Sequence, residues 1–491
     1  MKNLIRLVVT VVLSLCSASV AQKYIGSPAQ DLFDQASFFF ETQYFGPSTI
    51  NIQALILKYQ TKVDEVCAEL KEKCGYEKIE PLLEQMFADF EDFHTYYLSA
   101  ANVAAENANR SGTQTSPTPR VGITLQNFCE TPTGRCTTDE KGTLTSKLIG
   151  DRFIANVVKD APADKAGIKY GDRWIGYNDI LFSSFDGNVE NLNKAYNDFT
   201  TKVRAGETIK MVLMRGINRQ KLELPLKGEL INTSEQPGLE LRPDGIAVIT
   251  MKDYQINGVA QKLHELVKEA VAKNAKGIIF NERSNGGGSV LETIASVGAF
   301  VETPDLMRWI TRYNPDRNTI EWGYNAGKVF ARNLKEVEIT SLQINNPVVY
   351  KGPLAVLVDG GCASGCEYFA SYIQKAKRAQ VFGSPTVGIG NTNTARFGLA
   401  NGGAAGMPTI QAVWKDGIPL PAQVKPDILT ENFEFKLFNT GRDEPLEKAL
   451  ESLGVKPTIA VSSQPVSLDF KPQATTWTIE QVLLLNQNNL Y

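Results

Sequence analysis

The stretch that decides the fold is "LAVLVDGGCASGCEYFASYIQKA", residues 354–376. Its apolar start predicts a buried strand, and the apolar spacing after Gly365 predicts a helix. Glycines surround Ser364 at the junction, so its hydroxyl is expected on a sharp turn at a helix N-terminus, where amide hydrogens can stabilise an oxyanion. A serine at a helix start is also a common N-cap, so this stretch alone leaves a catalytic and a capping role open.

A second glycine-rich turn, "NERSNGGG" at residues 281–288, follows the apolar strand "KGIIF". Its backbone can approach a substrate carbonyl closely because glycines carry no side chains to obstruct it. Strands and helices alternate from about residue 236 onwards, which predicts a mainly parallel sheet covered by helices. Two such turns at strand ends, one of them with a serine, suit acyl transfer.

The rest of the chain divides into recognisable parts, because 491 residues are too many for one hydrophobic core. Helical spacing runs up to the polar linker "NRSGTQTSPTPR", and strand-like alternation follows it. The expected fold class is therefore a multidomain α/β protein. The predicted parts are a signal peptide (1–21), a helical N-terminal domain (22–115), a β domain (116–228), an α/β core (229–455) and a C-terminal extension (456–491).

The first residues predict export to the periplasm or the exterior. Lys2 and Arg6 precede the apolar run "LVVTVVLSLCSASVA", and Ser19 and Ala21 occupy the small-residue positions of a signal-peptidase site. The run is too short for a stable membrane span. A lipid anchor on Cys16 is disfavoured because a bulky leucine precedes it. The formal net charge of −3 gives no indication of a nucleic-acid partner.

Six further cysteines form three close pairs, which in an exported protein predicts local disulfides, with buried free thiols as the alternative. The pairs are Cys67 with Cys74, Cys129 with Cys136, and Cys362 with Cys366. The paired spacing around Ser364 favours a bridge over a cysteine nucleophile. None of the pairs has the flanking histidines of a zinc site, and we expect neither a metal nor a cofactor.

Residues 116–228 resemble a bacterial-type PDZ domain, most clearly in "APADKAGIKYGDRWIGYND" at 161–179. The resemblance implies that this domain binds an extended peptide by strand addition and holds its C-terminal carboxylate with backbone amides. The carboxylate loop would then be "RVGIT", with Val121, Gly122 and Ile123 near the peptide. A β domain that acts only as a spacer is the alternative.

The two glycine-rich turns, the PDZ-like part and "VKPDI" at 424–428 together resemble the tail-specific, or C-terminal processing, serine proteases of peptidase family S41. The resemblance implies a ClpP/crotonase-like α/β core, with Ser364 as nucleophile and Glu367 opening the helix after it. The oxyanion hole would consist of backbone amides of Gly365 and of Gly287 or Gly288. Substrates would be proteins or peptides with accessible termini, and an oligomer is compatible with the sequence.

One departure from that family concerns the general base. Many relatives use a lysine in an "FGKG"-like turn, but "PTVGIGNTN" carries Ile389 at that place, and an aliphatic side chain accepts no proton. His94, in "ADFEDFHTYYL" at the end of a predicted helix, resembles the base motif of the family's histidine-using branch, and an imidazole with pKa near 6.5 suits this task. His264, on an amphipathic helix, is expected to be structural.

The group that orients the base stays open. Relatives in the histidine-using branch place a glutamate before the "PD" segment, where Leu420 stands in approximate register. Gln423, Asp416, Glu367 or a carboxylate near His94 are the candidates. The leading hypothesis is an exported serine endopeptidase that acts through an acyl-enzyme. The alternative is an inactive pseudoprotease that binds peptides through its PDZ-like domain.

Overall fold

The computed structural model describes residues 26–455, except residues 91, 93, 113–114, 117, 138–143, 233–234, 313–319, 334 and 336. The predicted signal peptide, with Cys16, and the predicted extension at 456–491 lie outside the described residues. Within the described ranges, none of the helices is both long and apolar enough to cross a membrane.

Helices and strands alternate along most of the chain. In order, the helices are α1 Pro28–Gln43, α2 Ile52–Cys67, α3 Glu80–Ala88, α4 Ala100–Arg110, α5 Pro162–Lys165, α6 Val189–Arg204, α7 Val259–Ala272, α8 Val290–Val297, α9 Gly365–Lys375, α10 Phe433–Thr440 and α11 Glu444–Ser452. The strands are β1 Tyr96–Leu98, β2 Ile123–Cys129, β3 Leu148–Val157, β4 Arg173–Tyr177, β5 Ile180–Leu181, β6 Thr208–Arg215, β7 Gln220–Lys227, β8 Gly238–Leu241, β9 Ile246–Thr250, β10 Gly277–Asn281, β11 Met307–Thr311, β12 Ile320–Asn325, β13 Lys328–Asn333, β14 Glu338–Gln343, β15 Leu354–Val358, β16 Gln380–Gly383, β17 Thr392–Gly398, β18 Ala404–Trp414 and β19 Ile428–Leu429.

The described chain divides into two compact units. Unit 1 consists of residues 26–106, 309–312 and 392–412, and unit 2 of the other described residues. Residues 26–106 of the predicted helical domain lie in unit 1, and the structure adds to the same unit a late segment that carries β17 and most of β18.

Aromatic rings from α1 and from the end of α3 form the core of unit 1. The ring of Phe40 stacks on Phe90 at 4.3 Å between centroids and contacts Phe87 at 4.5 Å. Strand β1 pairs antiparallel with β18, with Tyr97 opposite Ala405, so a strand from late in the chain closes this core. The expectation that His94 ends a helix is wrong, because α3 ends at Ala88 and His94 lies in a turn just before β1.

Residues 120–229 of unit 2 form a β module around one long helix. Its strands follow the order β2-β3-β4-β6-β7, with β5 paired to β4, so β2 lies at an edge. Alternating side chains of these strands bury an aromatic core with α6. Trp174, only 1 % exposed, contacts Phe199 at 4.7 Å and Phe182 at 4.9 Å between ring centroids.

The second sheet of unit 2 has the order β19-β16-β15-β10-β9-β8, and all its strands except β8 run parallel. Both faces are covered, because successive side chains of a strand point to opposite sides. Ile279 belongs to a cluster with Leu450 of α11, whereas the next residue, Phe280, contacts Phe369 of α9. The predicted parallel sheet between helices is confirmed. Strands β12, β13 and β14 form an antiparallel meander.

Phe280 is the clearest test of this core, because its ring is fully buried and contacts both Phe300 and Phe369. Phe280→Ala should lower the free energy of unfolding by about 3–5 kcal/mol, since it removes a buried ring and leaves a cavity. Phe38→Ala is the matched control and should change it by less than about 1 kcal/mol, because Phe38 is 56 % exposed. Urea unfolding followed by circular dichroism measures both. Equal effects of the two variants would contradict the described core.

Candidate active site

Two turns meet at one edge of the parallel sheet. Strands β10 and β15 are hydrogen-bonded neighbours that run in the same direction, so the turns that follow them emerge side by side. We call residues 282–288 the glycine turn and residues 359–365 the serine turn. The Ala363 N–H donates to the carbonyl of Asn285 at 3.0 Å, which joins the two turns directly.

Ser364 has an unusual backbone conformation for a serine before a helix, with φ +50° and ψ −110°. An ordinary N-cap residue has extended dihedral angles. A non-glycine residue in this region is strained, and such strain tends to occur at functional sites, where it serves to aim a side chain. The Ser364 N–H donates to Glu367 Oε2 at 2.8 Å, and the residue is half-buried. Ser364 and Glu367 also form a capping box at the start of α9, so Ser364 caps the helix from a backbone conformation that is unusual for an N-cap.

The glycines of both turns are required by close backbone approach. A methyl group added at Gly287 would lie 2.6 Å from the Ala363 carbonyl oxygen and 2.8 Å from Ser364 Cβ. One added at Gly365 would lie 2.7 Å from Thr293 Oγ1. Carbon atoms do not approach this closely, so any side chain at these positions would push the two turns apart.

The structure distinguishes the two glycines that the sequence proposed as alternative oxyanion donors. The Gly287 N–H already donates to Asn285 Oδ1 at 2.8 Å, within the glycine turn itself. Among the described residues, neither the Gly288 nor the Gly365 N–H has an acceptor. Gly365 is the first residue of α9, where the N–H has no partner inside the helix. The Gly365 and Gly288 amides are therefore the candidate donor pair.

Asp359, which the sequence analysis did not single out, fastens the two turns together. Its Oδ1 accepts hydrogen bonds from the N–H groups of Ser284 at 2.7 Å and Gly361 at 2.9 Å, and its Oδ2 accepts from the Ser284 hydroxyl at 3.1 Å. The signal that could have identified it is an acidic residue at the end of a buried strand, directly before two glycines.

Glu367 connects α9 to the Ile389 turn. Its Oε1 accepts hydrogen bonds from the Thr386 hydroxyl and the Gly388 N–H, both at 2.6 Å, and its Oε2 accepts one from the Ile389 N–H at 3.1 Å. The carboxyl group thus holds the helix that begins at Ser364 and the Ile389 turn in fixed relation. Ile389 itself offers no proton acceptor.

The two other orienting candidates in unit 2 have local partners. Gln423 Nε2 donates to the backbone carbonyl of Thr386 at 2.7 Å. The Asp416 carboxylate forms an ion pair with Lys375 at 3.1 Å. Both side chains therefore make their contacts within unit 2.

Each predicted cysteine pair is joined by a disulfide, Cys67–Cys74, Cys129–Cys136 and Cys362–Cys366. The third bridge spans Ser364, and both of its sulfur-bearing residues are fully buried. A bridged sulfur carries no thiolate, so the oxidised protein has no cysteine nucleophile at this turn. Within the described part of the chain, no group of three or more His, Cys, Asp or Glu side chains is arranged to hold a metal ion.

His94, in unit 1, is almost fully buried and has a defined partner on one ring nitrogen. Its Nδ1 lies 2.7 Å from the hydroxyl of Thr392, and its backbone N–H donates to Asp92 Oδ1 at 2.9 Å. Asp92 is fixed in turn by hydrogen bonds from the hydroxyls of Tyr44 and Thr95, each at 3.0 Å. Burial lowers the pKa of His94 below its usual 6.5, and the nearby Asp92 opposes this shift only in part. Sequence analysis did not identify Thr392.

His264 has both ring nitrogens engaged inside unit 2. Its Nδ1 accepts from the Val348 N–H at 3.1 Å, and its Nε2 donates to the Ala295 carbonyl at 3.0 Å. This agrees with the structural role predicted for it. His94 differs, because its Nε2 has no hydrogen-bonding partner among the described residues.

The predicted carboxylate loop lies at the start of edge strand β2. The carbonyls of Val121 and Gly122 accept hydrogen bonds from the N–H groups of Ala163 and Val158, both at 2.9 Å. The side chains of Val121 and Ile123 are fully buried, and Gly122 has φ +81°. The loop is therefore held rigidly from inside the β module.

A serine in a strained turn between a parallel strand and a helix, beside unpaired backbone N–H groups, is the type of site found in serine hydrolases. Residues 245–430 match the family model described as Peptidase family S41, and this segment of the chain belongs to that family. It contains both turns and the Ile389 turn, but not His94.

Curated relatives agree with the family match. The chain is 24 % identical over 325 residues to the carboxy-terminal processing protease CtpA of Bacillus subtilis, covering 62 % of each protein. It is 24 % identical over 246 residues to a CtpA-like serine protease of Staphylococcus haemolyticus, covering 50 % of this chain and 43 % of that protein. The chain thus spans about half the length of the curated relatives it matches. A solved photosystem II D1 C-terminal processing protease superposes with a TM-score of 0.42 at 17 % identity, over 84 % of this chain and 97 % of that one.

The disulfide across Ser364 generates a prediction. Replacing both Cys362 and Cys366 by serine should lower the free energy of unfolding by about 2 kcal/mol, because a short loop is no longer closed in the unfolded chain. It should also lower any hydrolytic activity, since the disulfide no longer restrains the strained Ser364 turn. The matched control replaces Cys67 and Cys74, which should lower stability similarly but spare activity in the folded protein. Unfolding titrations and hydrolysis assays measure the two effects. Full activity of the first variant would show that the bridge does not support the turn.

Proposed function

We propose that this chain is an exported serine-type endopeptidase that cleaves proteins or peptides with accessible termini. The observation that carries the proposal is the strained Ser364, which lies against the glycine turn inside the segment that matches peptidase family S41. The three disulfides support export, because such bridges persist in oxidising compartments.

In the proposed reaction, Ser364 Oγ attacks the carbonyl carbon of the scissile peptide bond and loses its proton to a general base. The negative charge that develops on the carbonyl oxygen is stabilised by the N–H groups of Gly365 and Gly288. Each such donor contributes about 10²–10³-fold to the rate in comparable enzymes. The leaving amine takes the proton from the base, and water then hydrolyses the acyl-enzyme by the same route.

We assign the role of general base to His94. Ile389 accepts no proton, and both nitrogens of His264, the other histidine of the sequence, are occupied by backbone groups. His94 belongs to unit 1 and Ser364 to unit 2, so the proposal takes base and nucleophile from different units. Lowered by burial, the pKa of His94 keeps its ring neutral, and thus able to accept a proton, at neutral pH.

Thr392 is our candidate for the group that orients His94. With the hydrogen on Nδ1, the ring donates to the Thr392 hydroxyl and leaves Nε2 as the proton acceptor. A hydroxyl orients the ring as a carboxylate would, but it stabilises the imidazolium less, because it carries no charge. The proposed constellation is therefore Ser364, His94 and Thr392.

For the β module we propose peptide binding by strand addition to β2. Strand β2 lies at a sheet edge, and its unpaired side can accept an extended chain. The N–H groups of Val121, Gly122 and Ile123 would hold the terminal carboxylate of the peptide.

Casein hydrolysis by the mature protein tests the function. Ser364→Ala and His94→Gln should each lower kcat by at least about 10³-fold, because they remove the nucleophile and its base. His264→Gln is the matched histidine control and should keep kcat in the folded protein. Labelling with a fluorophosphonate followed by mass spectrometry should place the adduct on Ser364. If the folded protein shows no Ser364-dependent cleavage but still binds peptides, it is an inactive pseudoprotease.

The histidine assignment also predicts a pH dependence. As pH falls through the pKa of His94, the ring gains a proton and can no longer act as base, so kcat/KM should fall with a midpoint below 6.5. Thr392→Val should lower kcat about tenfold, the effect of one lost hydrogen bond. Thr394→Val, on the same strand, is the control, because its hydroxyl reaches only the His94 carbonyl at a long 3.4 Å. A midpoint well above 6.5 would argue for another base.

A further inference from the structure

The first residue of the glycine turn carries a buried carboxyl group. Glu282 follows strand β10, and none of its surface is exposed. Its Oε1 is hydrogen-bonded to the hydroxyl of Tyr254 and accepts a longer bond from Asn285 Nδ2 at 3.4 Å. One carboxyl oxygen thus contacts two side chains that come from different loops.

Both partners of Glu282 hold the glycine turn itself. Asn285 Oδ1 accepts the Gly287 N–H at 2.8 Å. The backbone N–H of Tyr254 donates to the Gly287 carbonyl at 2.8 Å, and the Tyr254 carbonyl accepts the Ser289 N–H at 2.9 Å. The contact is tight, because a methyl group at Gly288 would lie 2.4 Å from Gln255 N. Asn285 and Tyr254, which both contact Glu282, therefore restrain residues 287–289.

We propose that Glu282 is a positioning residue for the oxyanion-binding glycine turn, acting through Tyr254 and Asn285. The consequence for catalysis rests on the proposed function. The physical need arises because three successive glycines have more conformational freedom than any other tripeptide and no side chains of their own to restrain it. Hydrogen bonds from neighbouring side chains must therefore aim the Gly288 N–H.

The environment of Glu282 selects its uncharged form. Its Oε2 has no hydrogen-bonding partner among the residues that the structure describes, so an ionised carboxylate would be a buried charge with no donor at one oxygen. Burial accordingly raises the pKa of Glu282 well above its usual range. A neutral acid at the start of the turn offers hydrogen bonds without a negative charge that would oppose the developing oxyanion.

Three variants separate positioning from simple stability. Glu282→Leu keeps the volume but removes the acceptor, Glu282→Gln keeps an acceptor oxygen, and Glu292→Gln is the matched control. Glu292 is also a buried glutamate, but its oxygens accept the N–H groups of Gly258 and Ala260 at the start of α7. Each variant is assayed for kcat and KM on casein and for amide hydrogen exchange across residues 284–291.

For Glu282→Leu we expect kcat to fall about tenfold or more with little change in KM, because an oxyanion donor acts mainly in the transition state. Exchange across 284–291 should accelerate by about tenfold as the turn opens locally. In Glu282→Gln, kcat and the exchange rate should stay near the wild-type values, and Glu292→Gln should change neither. If Glu282→Leu does not fold, Tyr254→Phe tests the same network by removing one hydroxyl and should act in the same direction.

The proposal is overturned if Glu282→Leu keeps the wild-type exchange rate and kcat. It is also overturned if the Leu and Gln variants lose kcat equally, because Gln retains the acceptor. The exchange measurement does not depend on hydrolysis. If the wild-type protein proves inactive, the proposed function fails, while the exchange rates of the same variants still decide whether Glu282 positions the turn.

Discussion

The arrangement depends on one steric constraint: the backbone of Gly287 lies so close to Ser364 that a single methyl group would not fit between them. This approach is possible because β10 and β15 are adjacent parallel strands, whose following turns emerge at the same sheet edge. It places the Gly288 N–H beside the start of α9, and neither this group nor the Gly365 N–H has an acceptor in the part of the chain that the structure describes. Two strands and one helix thereby bring together the two N–H groups of the proposed oxyanion hole.

Buried acidic groups stabilise this arrangement, and each has a different task. Asp359 joins the serine turn to the glycine turn, Glu367 joins helix α9 to the Ile389 turn, and Glu282 joins the start of the glycine turn to Tyr254. Asp359 and Glu367 are each surrounded by several donors. Glu282 has one oxygen without a hydrogen-bonding partner among the described residues, and burial raises its pKa. Hydrogen bonding rather than net charge therefore orders the turns around Ser364.

In the proposed mechanism, the imidazole of His94 acts as the base, whereas Ile389 offers no proton acceptor. The Ile389 turn belongs to the same unit as the proposed nucleophile Ser364, whereas the imidazole belongs to unit 1. Its orientation comes from Thr392, which is 298 positions away in sequence and reaches His94 because the late segment with β17 folds with the N-terminal helices. The Thr392 hydroxyl thus orients the ring, and burial lowers its pKa.

Local patterns in the sequence were enough to predict the parallel sheet between helices, the three disulfide pairs and the two glycine turns around Ser364, because periodicity, close cysteine spacing and glycine runs act over a few residues. The distinction between Gly287 and Gly288, the pairing of His94 with Thr392 and the neutral state of Glu282 were decided by the tertiary structure. Each of these depends on which distant groups share a buried space, and the sequence near a residue does not identify its long-range hydrogen-bonding partners.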